Sequence, residues 1–177
     1  MNHLTVALSI SLLTSSVVAL QATPDSMKDC PMHRQHAAPS HEAVVMSHGD
    51  QAMGFPHDRT THHFRMAPDG GSIEVTVRDA KDETNTDAIR SHLSHISAMF
   101  ADGDFSAPMF IHDGVPPGVT TMIRMKSTIH YTYAEIPLGG KVRIQSSDPA
   151  AVDAIHDFLR FQIAEHHTGD SPEGERK

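Results

Sequence analysis

Two stretches of this chain share one pattern, and this repeat constrains the fold more than any other feature. HHFRMAPDGGSIEVTV (62–77) and IHYTYAEIPLGGKVRIQ (129–145) each alternate apolar and polar residues on both sides of a Gly-Gly pair. Alternation with a period of two is typical of half-buried strands, and the glycine pair indicates a hairpin turn. A helical segment containing Asp-Ala-Ile follows each stretch. The repeat therefore predicts two ββα units.

Two such units predict an α+β domain. It would be a two-layer sandwich, in which two main helices cover one face of a four-stranded antiparallel sheet. Gly70 and Gly139 would supply positive φ at the two turns. With the first hairpin closed around Asp69-Gly70, the pairs on the helix-facing side are Met66 with Ile73, Phe64 with Val75, and His62 with Val77. By the same alternation, His63 and His130 point to the opposite face.

The helices are expected at about residues 87–101 and 149–166. In the first helix, the apolar residues at helical spacing are Ile89, Leu93, Ile96 and Phe100. In the second, the residues predicted to be buried are Val152, Ile155, Leu159, Gln162, Ile163 and His166. His92, His95 and Met99 form a stripe along the border of the first apolar face, because they lie at i, i+3 and i+7.

The composition divides the chain into four parts. Residues 1–22 contain no Asp, Glu, Lys or Arg and end in small-residue cleavage sites, which indicates a secretory signal peptide. Residues 23–59 are rich in Met and His and poor in branched aliphatic residues, so we expect a mobile tail that cannot offset its ordering entropy. The ββα-ββα domain occupies residues 60–169, and residues 170–177 form a polar C-terminal tail.

The tail contains donors that suit a soft metal ion. MKDCPMHRQH (27–36) brings together Cys30, Met32, His33 and His36, and no core is predicted there for these side chains to fill. Thiolate, thioether and imidazole together suit Cu(I), whereas imidazole alone also suits Cu(II), Zn²⁺ and Ni²⁺. The methionines therefore favour copper over zinc or nickel. The alternative is a flexible linker whose composition has no function.

The domain offers a second group of candidate metal ligands. His62, His92, His95 and His112 could meet on the helix-covered side of the sheet, and His63 with His130 form the alternative set on its other face. Because the helices cover only one face, one of the two sets has to be primary. Two histidines one turn apart also occur as ordinary border residues. His156 is expected to be only solvated.

Two resemblances bear on function. Asp29-Cys30-Pro31-Met32-His33 resembles the Cys-Pro-Met-His core of heavy-metal-binding segments in copper-transporting ATPases and efflux adaptors, with Arg34 in place of the usual proline. From Met53 through TTHHF, HLSHI, IHDGVPPGV and AIHDFLRFQI to HHTGD, the chain resembles a family of small bacterial exported proteins. Some members carry the label aspartate carbamoyltransferase. That activity is not carried over, because the chain lacks a Ser-Thr-Arg-Thr phosphate loop and the length for two α/β domains.

These observations predict a periplasmic or secreted copper-binding protein that acts in copper tolerance, buffering or delivery. Its partners would be the metal ion and a copper efflux or delivery protein. The formal charge of −8 argues against nucleic acid or anionic lipid, and no membrane association is expected after signal removal. The alternative is an enzyme with a histidine-ligated metal that keeps an open, pocketed position near an acid or base. A third interpretation is an interaction module in which the histidines are incidental.

Overall fold

The computed structural model of the protein describes residues 39–173. The predicted signal peptide and the predicted ligands Cys30, Met32, His33 and His36 lie outside this range. The elements within it are α1 (His41–Met53), β1 (Thr60–Ala67), β2 (Gly70–Val77), α2 (Glu83–Ala101), α3 (Ser106–Ile111), α4 (Val119–Arg124), β3 (Ile129–Ile136), β4 (Gly139–Ser146) and α5 (Pro149–Glu165). Short 3₁₀ turns cover His57–Arg59 and Lys126–Thr128. The predicted α+β class, a four-stranded antiparallel sheet with helices, is confirmed.

The strand order is β1-β2-β4-β3, so the two hairpins meet at the centre of the sheet through β2 and β4. In the first hairpin, Ala67 pairs with Gly70, Phe64 with Ile73, and His62 with Val75. The predicted register was therefore wrong by two residues, because the turn consists of Pro68 and Asp69. A shift of two keeps every side chain on its predicted face, since side chains alternate with a period of two.

The two conspicuous turn glycines have different roles. Gly70 has φ of 135°, as the hairpin prediction requires. In the second hairpin it is Leu138 that adopts positive φ, at 64°, and Gly139 does not. Gly139 is needed because a Cβ atom there would collide with the backbone carbonyl oxygen of Val75 on the neighbouring strand.

Each long helix covers the hairpin of the other repeat. α2 packs mainly on β3 and β4, and α5 packs on β1 and β2 as well as β4. The predicted core positions Ile89, Leu93, Ile96 and Phe100 are buried, as are Ile155, Leu159, Gln162 and Ile163. Val152 and His166, also predicted to be buried, are only half-buried. Phe158 is also buried and was not predicted. Because each helix packs on the hairpin of the other repeat, the C-terminal end of α5 lies over β1.

Residues 41–59 are not a mobile tail. The Ser40 side chain caps α1 by accepting a hydrogen bond from the Ala43 amide, and Gly54 ends the helix with φ of 78°. Val45 and Phe55 are only 3% and 2% exposed. Two apolar anchors and a capped helix offset the ordering entropy that the composition alone could not. The compact unit therefore begins at Pro39 and not near residue 60.

Packing also continues past the predicted end of the domain at residue 169. The Asp170 carboxylate accepts hydrogen bonds from the Phe64 amide and from His63 Nδ1, both at 2.9 Å. This carboxylate satisfies a backbone donor on the outer edge of β1. Of the helices between residues 39 and 173, none combines the length and apolar character needed to span a bilayer.

Candidate metal centre

Five elements bring four histidines and a methionine together. His62 comes from β1, His92 from α2, His112 from the residue after α3, His166 from the residue after α5, and Met53 from the last turn of α1. We refer to these five residues as the His/Met cluster. It lies on the helix-covered side of the sheet, next to the buried ring of Phe55.

The closest donor atoms in the cluster belong to His62 and Met53. His62 Nε2 lies 3.4 Å from Met53 Sδ. The His166 ring stacks beside His62 with a centroid separation of 6.1 Å, and the His112 ring meets His166 edge-on at 5.2 Å. His92 is turned toward Phe55, with ring centroids 5.7 Å apart. The centre of the cluster is thus an imidazole–thioether pair with a second imidazole beside it.

The cluster keeps its imidazoles neutral. Burial, reinforced by the neighbouring His92, lowers the pKa of His62 from 6.5 to about 4. Burial lowers the pKa of His92 to about 4, with His95 adding to the effect. Burial together with His62 and His112 lowers the pKa of His166 to about 3. Only a neutral imidazole has a free lone pair for a metal ion, so the cluster is ready to coordinate at neutral pH.

His112 links the cluster to the surface. It is 8% exposed, its Nε2 donates to Gln162 Oε1 at 3.3 Å, and its Nδ1 lies 3.7 Å from Glu165 Oε2. The same Glu165 oxygen accepts a hydrogen bond from the exposed His41 at 2.7 Å. Burial lowers the pKa of His112, whereas Gln162 and Glu165 act in the opposite direction. Nδ1 of His112 has no hydrogen-bond partner among the described residues.

The predicted ligand sets are only partly brought together. His62 and His92 line one cavity, His112 contacts the ring of His166, and His95 is exposed. Within residues 39–173, no three His, Cys, Asp or Glu side chains form a group that could hold a metal ion. The four-histidine centre is therefore not assembled as predicted. Any site here needs the methionine sulfur as a donor.

The alternative pair of His63 and His130 cannot form one site. β1 and β3 are the two edges of the sheet, so three strand spacings, roughly 14 Å, separate these residues. His63 is engaged with Asp170, and His130 is exposed. The sequence pattern correctly predicted the face that these residues share, but not the strand order that separates them.

Two cavities meet at the cluster. An open pocket of about 260 Å³ lies between α1, the start of β1 and the end of α5, and Glu165 and Arg78 are part of its wall. A smaller cavity of about 70 Å³ lies between the sheet and the helices. Met53, His62 and His166 line both. A metal ion held by these three residues would be reachable from solvent.

Comparisons of the chain with protein-family models, with curated proteins and with solved structures gave no match. The resemblances noted in the sequence therefore stay predictions.

Sequence reasoning missed Met53 and His166 as members of the site. Met53 was assigned to the tail, although Ser40 and Gly54 are the start and stop signals of an ordinary helix around it. His166 was placed on the buried face of the last helix, but it was not named as a candidate ligand. The His166 ring lies beside His62 because α5 packs on the hairpin of the first repeat.

The sequence predicted that His156 is only solvated, and this prediction was wrong. Its Nε2 donates toward the carbonyl oxygens of Ala67 and Gly70, at 2.9 and 3.0 Å. These two residues flank the turn of the first hairpin. The α5 side chain therefore ties that turn to the helix layer.

We expect His156→Ala to lower the free energy of unfolding by about 1–2 kcal/mol, because two partly buried carbonyl groups lose their donor. The matched control is His130→Ala on the exposed face of β3, which should cost under about 0.5 kcal/mol. Urea denaturation of both variants measures the difference. Equal losses would show that the turn does not depend on the imidazole.

Proposed function

We propose that this protein is an exported copper-binding protein that serves copper tolerance, buffering or delivery. Its domain site would hold Cu(I) through Met53 Sδ and His62 Nε2, with His166 as the third donor. The observation that carries this proposal is the 3.4 Å separation of the imidazole nitrogen and the thioether sulfur. With metal–nitrogen and metal–sulfur bonds of about 2.0 and 2.3 Å, that separation corresponds to an angle of about 105° at the metal.

His166 would reach the same ion after a movement of its side chain. Two imidazoles on one ion, with bonds of about 2.0 Å, have ring centroids no more than about 6 Å apart. The 6.1 Å between His62 and His166 is at this limit. The rings are parallel to within 10°, so the third bond requires a rotation of the His166 side chain.

The chemistry of the donors supports Cu(I) over other ions. A thioether is a soft ligand that Mg²⁺, Ca²⁺ and other hard cations do not favour, and Zn²⁺ and Ni²⁺ are better served by imidazole and carboxylate alone. A thioether also carries no proton, and His62 and His166 have pKa values of about 4 and about 3. Proton competition for this site therefore begins well below neutral pH.

The segment before the described residues would supply a second set of donors. Cys30, Met32, His33 and His36 are all soft or borderline ligands. We propose that they capture copper in the periplasm, and that a copper efflux or delivery protein exchanges the ion with this chain. The formal charge of −8 supports a cationic ligand and disfavours nucleic acid as a partner.

A Cu(I) titration of the full chain against a colorimetric chelator tests the domain site. Met53→Leu keeps the apolar volume but removes the sulfur, so it should weaken one Cu(I) equivalent by about 100-fold. Met46→Leu is the matched control, because Met46 lies on the same helix and is 38% exposed. Identical titrations of the wild type and Met53→Leu would refute the site, whatever the N-terminal donors bind.

One observation favours a second candidate function, a metal-dependent enzyme. The donor pair lines two cavities, and the Glu165 carboxylate is part of the wall of the larger one. An open coordination position near a base is what a catalytic metal requires. A storage or delivery site would lose its ion to a partner, whereas an enzyme would retain it through purification and repeated dialysis.

A further inference from the structure

The two edges of the sheet differ in how their backbone groups are satisfied. At β1, the Asp170 carboxylate accepts a hydrogen bond from the Phe64 amide, and Arg78 Nε donates to the Thr60 carbonyl oxygen at 2.8 Å. Side-chain partners of this kind protect an edge strand from pairing with another chain. The opposite edge is β3, and no side chain within residues 39–173 bonds to one of its backbone groups.

The bonding pattern of the sheet shows which backbone groups of β3 face away from it. The Val77 amide donates to the Leu138 carbonyl oxygen, so the even-numbered residues of β4 point their backbone groups toward β2. Because these groups alternate along an antiparallel strand, the odd-numbered residues of β4 bond to the even-numbered residues of β3. The residues of β3 whose N–H and C=O groups both face outward therefore include Tyr131, Tyr133 and Glu135.

These outward groups are open to another strand. Among the described residues, no hydrogen bond reaches the N–H or C=O groups of Tyr131, Tyr133 and Glu135. β3 is 8 residues long, pairs with β4 without a bulge, and contains neither proline nor lysine. Prolines, lysines and bulges are the usual devices that keep an edge strand from pairing. β3 therefore has the features of a strand that pairs with a further chain.

We propose that β3 pairs with β3 of a second copy of this chain, antiparallel about a two-fold axis at Tyr133. In this register Tyr133 lies opposite itself and Tyr131 lies opposite Glu135 of the second copy. Every outward N–H and C=O group of these three residues then has a partner. On the open face, the small side chains of Thr132 and Ala134 lie opposite each other, and no like charges face each other directly.

The helix layer fits the same axis. α2 lies over both β3 and β4, and Arg90 Nε on its β3 side is 3.4 Å from Glu135 Oε2. A two-fold axis normal to the sheet keeps the helices on one face, so the two α2 helices would lie two strand spacings apart, roughly 10 Å. Helices pack at about 8–10 Å. The border of α2 that contains Arg90 continues with side chains small enough for this approach, Ser94, Ser97 and Ala101.

This inference goes beyond copper binding and is tested by the mass of the metal-free full chain in solution. With a chelator and a reductant present, neither a bridging metal nor a Cys30 disulfide can join two copies. Sedimentation equilibrium at about 100 μM should give twice the 19.3 kDa of one chain. Thr132→Glu combined with Ala134→Glu should give the mass of one chain, because carboxylates then face each other across the axis. Within their own sheet the same positions pair with Arg143 and Lys141, so the fold is retained.

The matched control is Thr76→Glu combined with Gln145→Glu. These substitutions add the same charge to the same face of the sheet, but on its central strands β2 and β4, so the doubled mass should persist. Hydrogen exchange of the wild type supplies a measurement that needs no variant. The amides of Tyr131, Tyr133 and Glu135 should exchange about tenfold more slowly at about 100 μM than at about 1 μM, where the dimer dissociates.

Three results would overturn the proposal. The first is a wild-type mass of one chain at about 100 μM. The second is a doubled mass that Thr132→Glu combined with Ala134→Glu retains, because the interface would then lie elsewhere. The third is slow exchange of the three amides in a monomer, because a segment of the same chain outside residues 39–173 would then cover β3. Since copper is absent throughout, none of these results would alter the Cu(I) titrations.

Discussion

Replacing Phe55 by alanine should lower the free energy of unfolding by about 3–5 kcal/mol. Phe55 is 2% exposed and packs against the rings of His62 and His92, with centroid separations of 6.4 and 5.7 Å. Phe55 lies in the segment that connects α1 to the first strand. The truncation leaves a void where the aromatic ring was, and we expect that a small shift of this segment cannot close it. Urea denaturation measures the loss.

The matched control is Phe110→Ala. Phe110 is 43% exposed, and its ring stacks on His48 of α1 at 4.5 Å. Its truncation should cost under about 1 kcal/mol, because little apolar surface returns to water. Equal losses in the two variants would contradict the placement of Phe55 in the core.

Because α1 and Phe55 pack on the domain, a deletion of residues 27–57 would destabilise it. A deletion that stops at Ala38 would leave α1 and its anchors in place.

The free energy of unfolding of the metal-free protein should fall as the pH is lowered from about 7 to about 5. His62, His92 and His166 have lower pKa values in the folded chain, about 4, 4 and 3, than the usual 6.5 of an unfolded histidine. Below pH 6.5 the unfolded chain therefore binds more protons than the folded one, and protonation favours unfolding. The contribution of these histidines to the free energy of unfolding is complete above pH 6.5. It is lost progressively as the pH falls to their pKa values in the folded chain.

The expected size of this pH dependence is worked out for the His62 contribution alone. A shift from 6.5 to about 4 corresponds to roughly 3 kcal/mol over the whole interval, of which about 2 kcal/mol falls between pH 7 and 5. His62→Gln should remove this share of the pH dependence, and His130→Gln, at an exposed position, should not change it. Denaturation curves at pH 7, 6 and 5 avoid the range in which carboxylates titrate. A stability that stays constant between pH 7 and 5 would contradict the burial of the cluster.

Much of the local structure could be predicted because it depends on neighbours in the chain. The duplicated alternation around Gly-Gly predicted both hairpins, and the 3.6-residue spacing of Ile89, Leu93, Ile96 and Phe100 predicted the buried face of α2. Even the error of two residues in the first hairpin register left each side chain on its correct face. Helix α1 was missed although its capping residues are visible, because a low content of apolar residues outweighed two well-placed anchors, Val45 and Phe55.

The sequence by itself determined which side chains point toward the helices and which donors the chain has available. It could not determine their partners, since these depend on the strand order β1-β2-β4-β3 and on the packing of each helix over the other hairpin. That arrangement places His63 and His130 at opposite edges of the sheet and brings His166 beside His62. Local periodicity specifies a face, whereas only the long-range packing of the two repeats specifies which residues on that face meet.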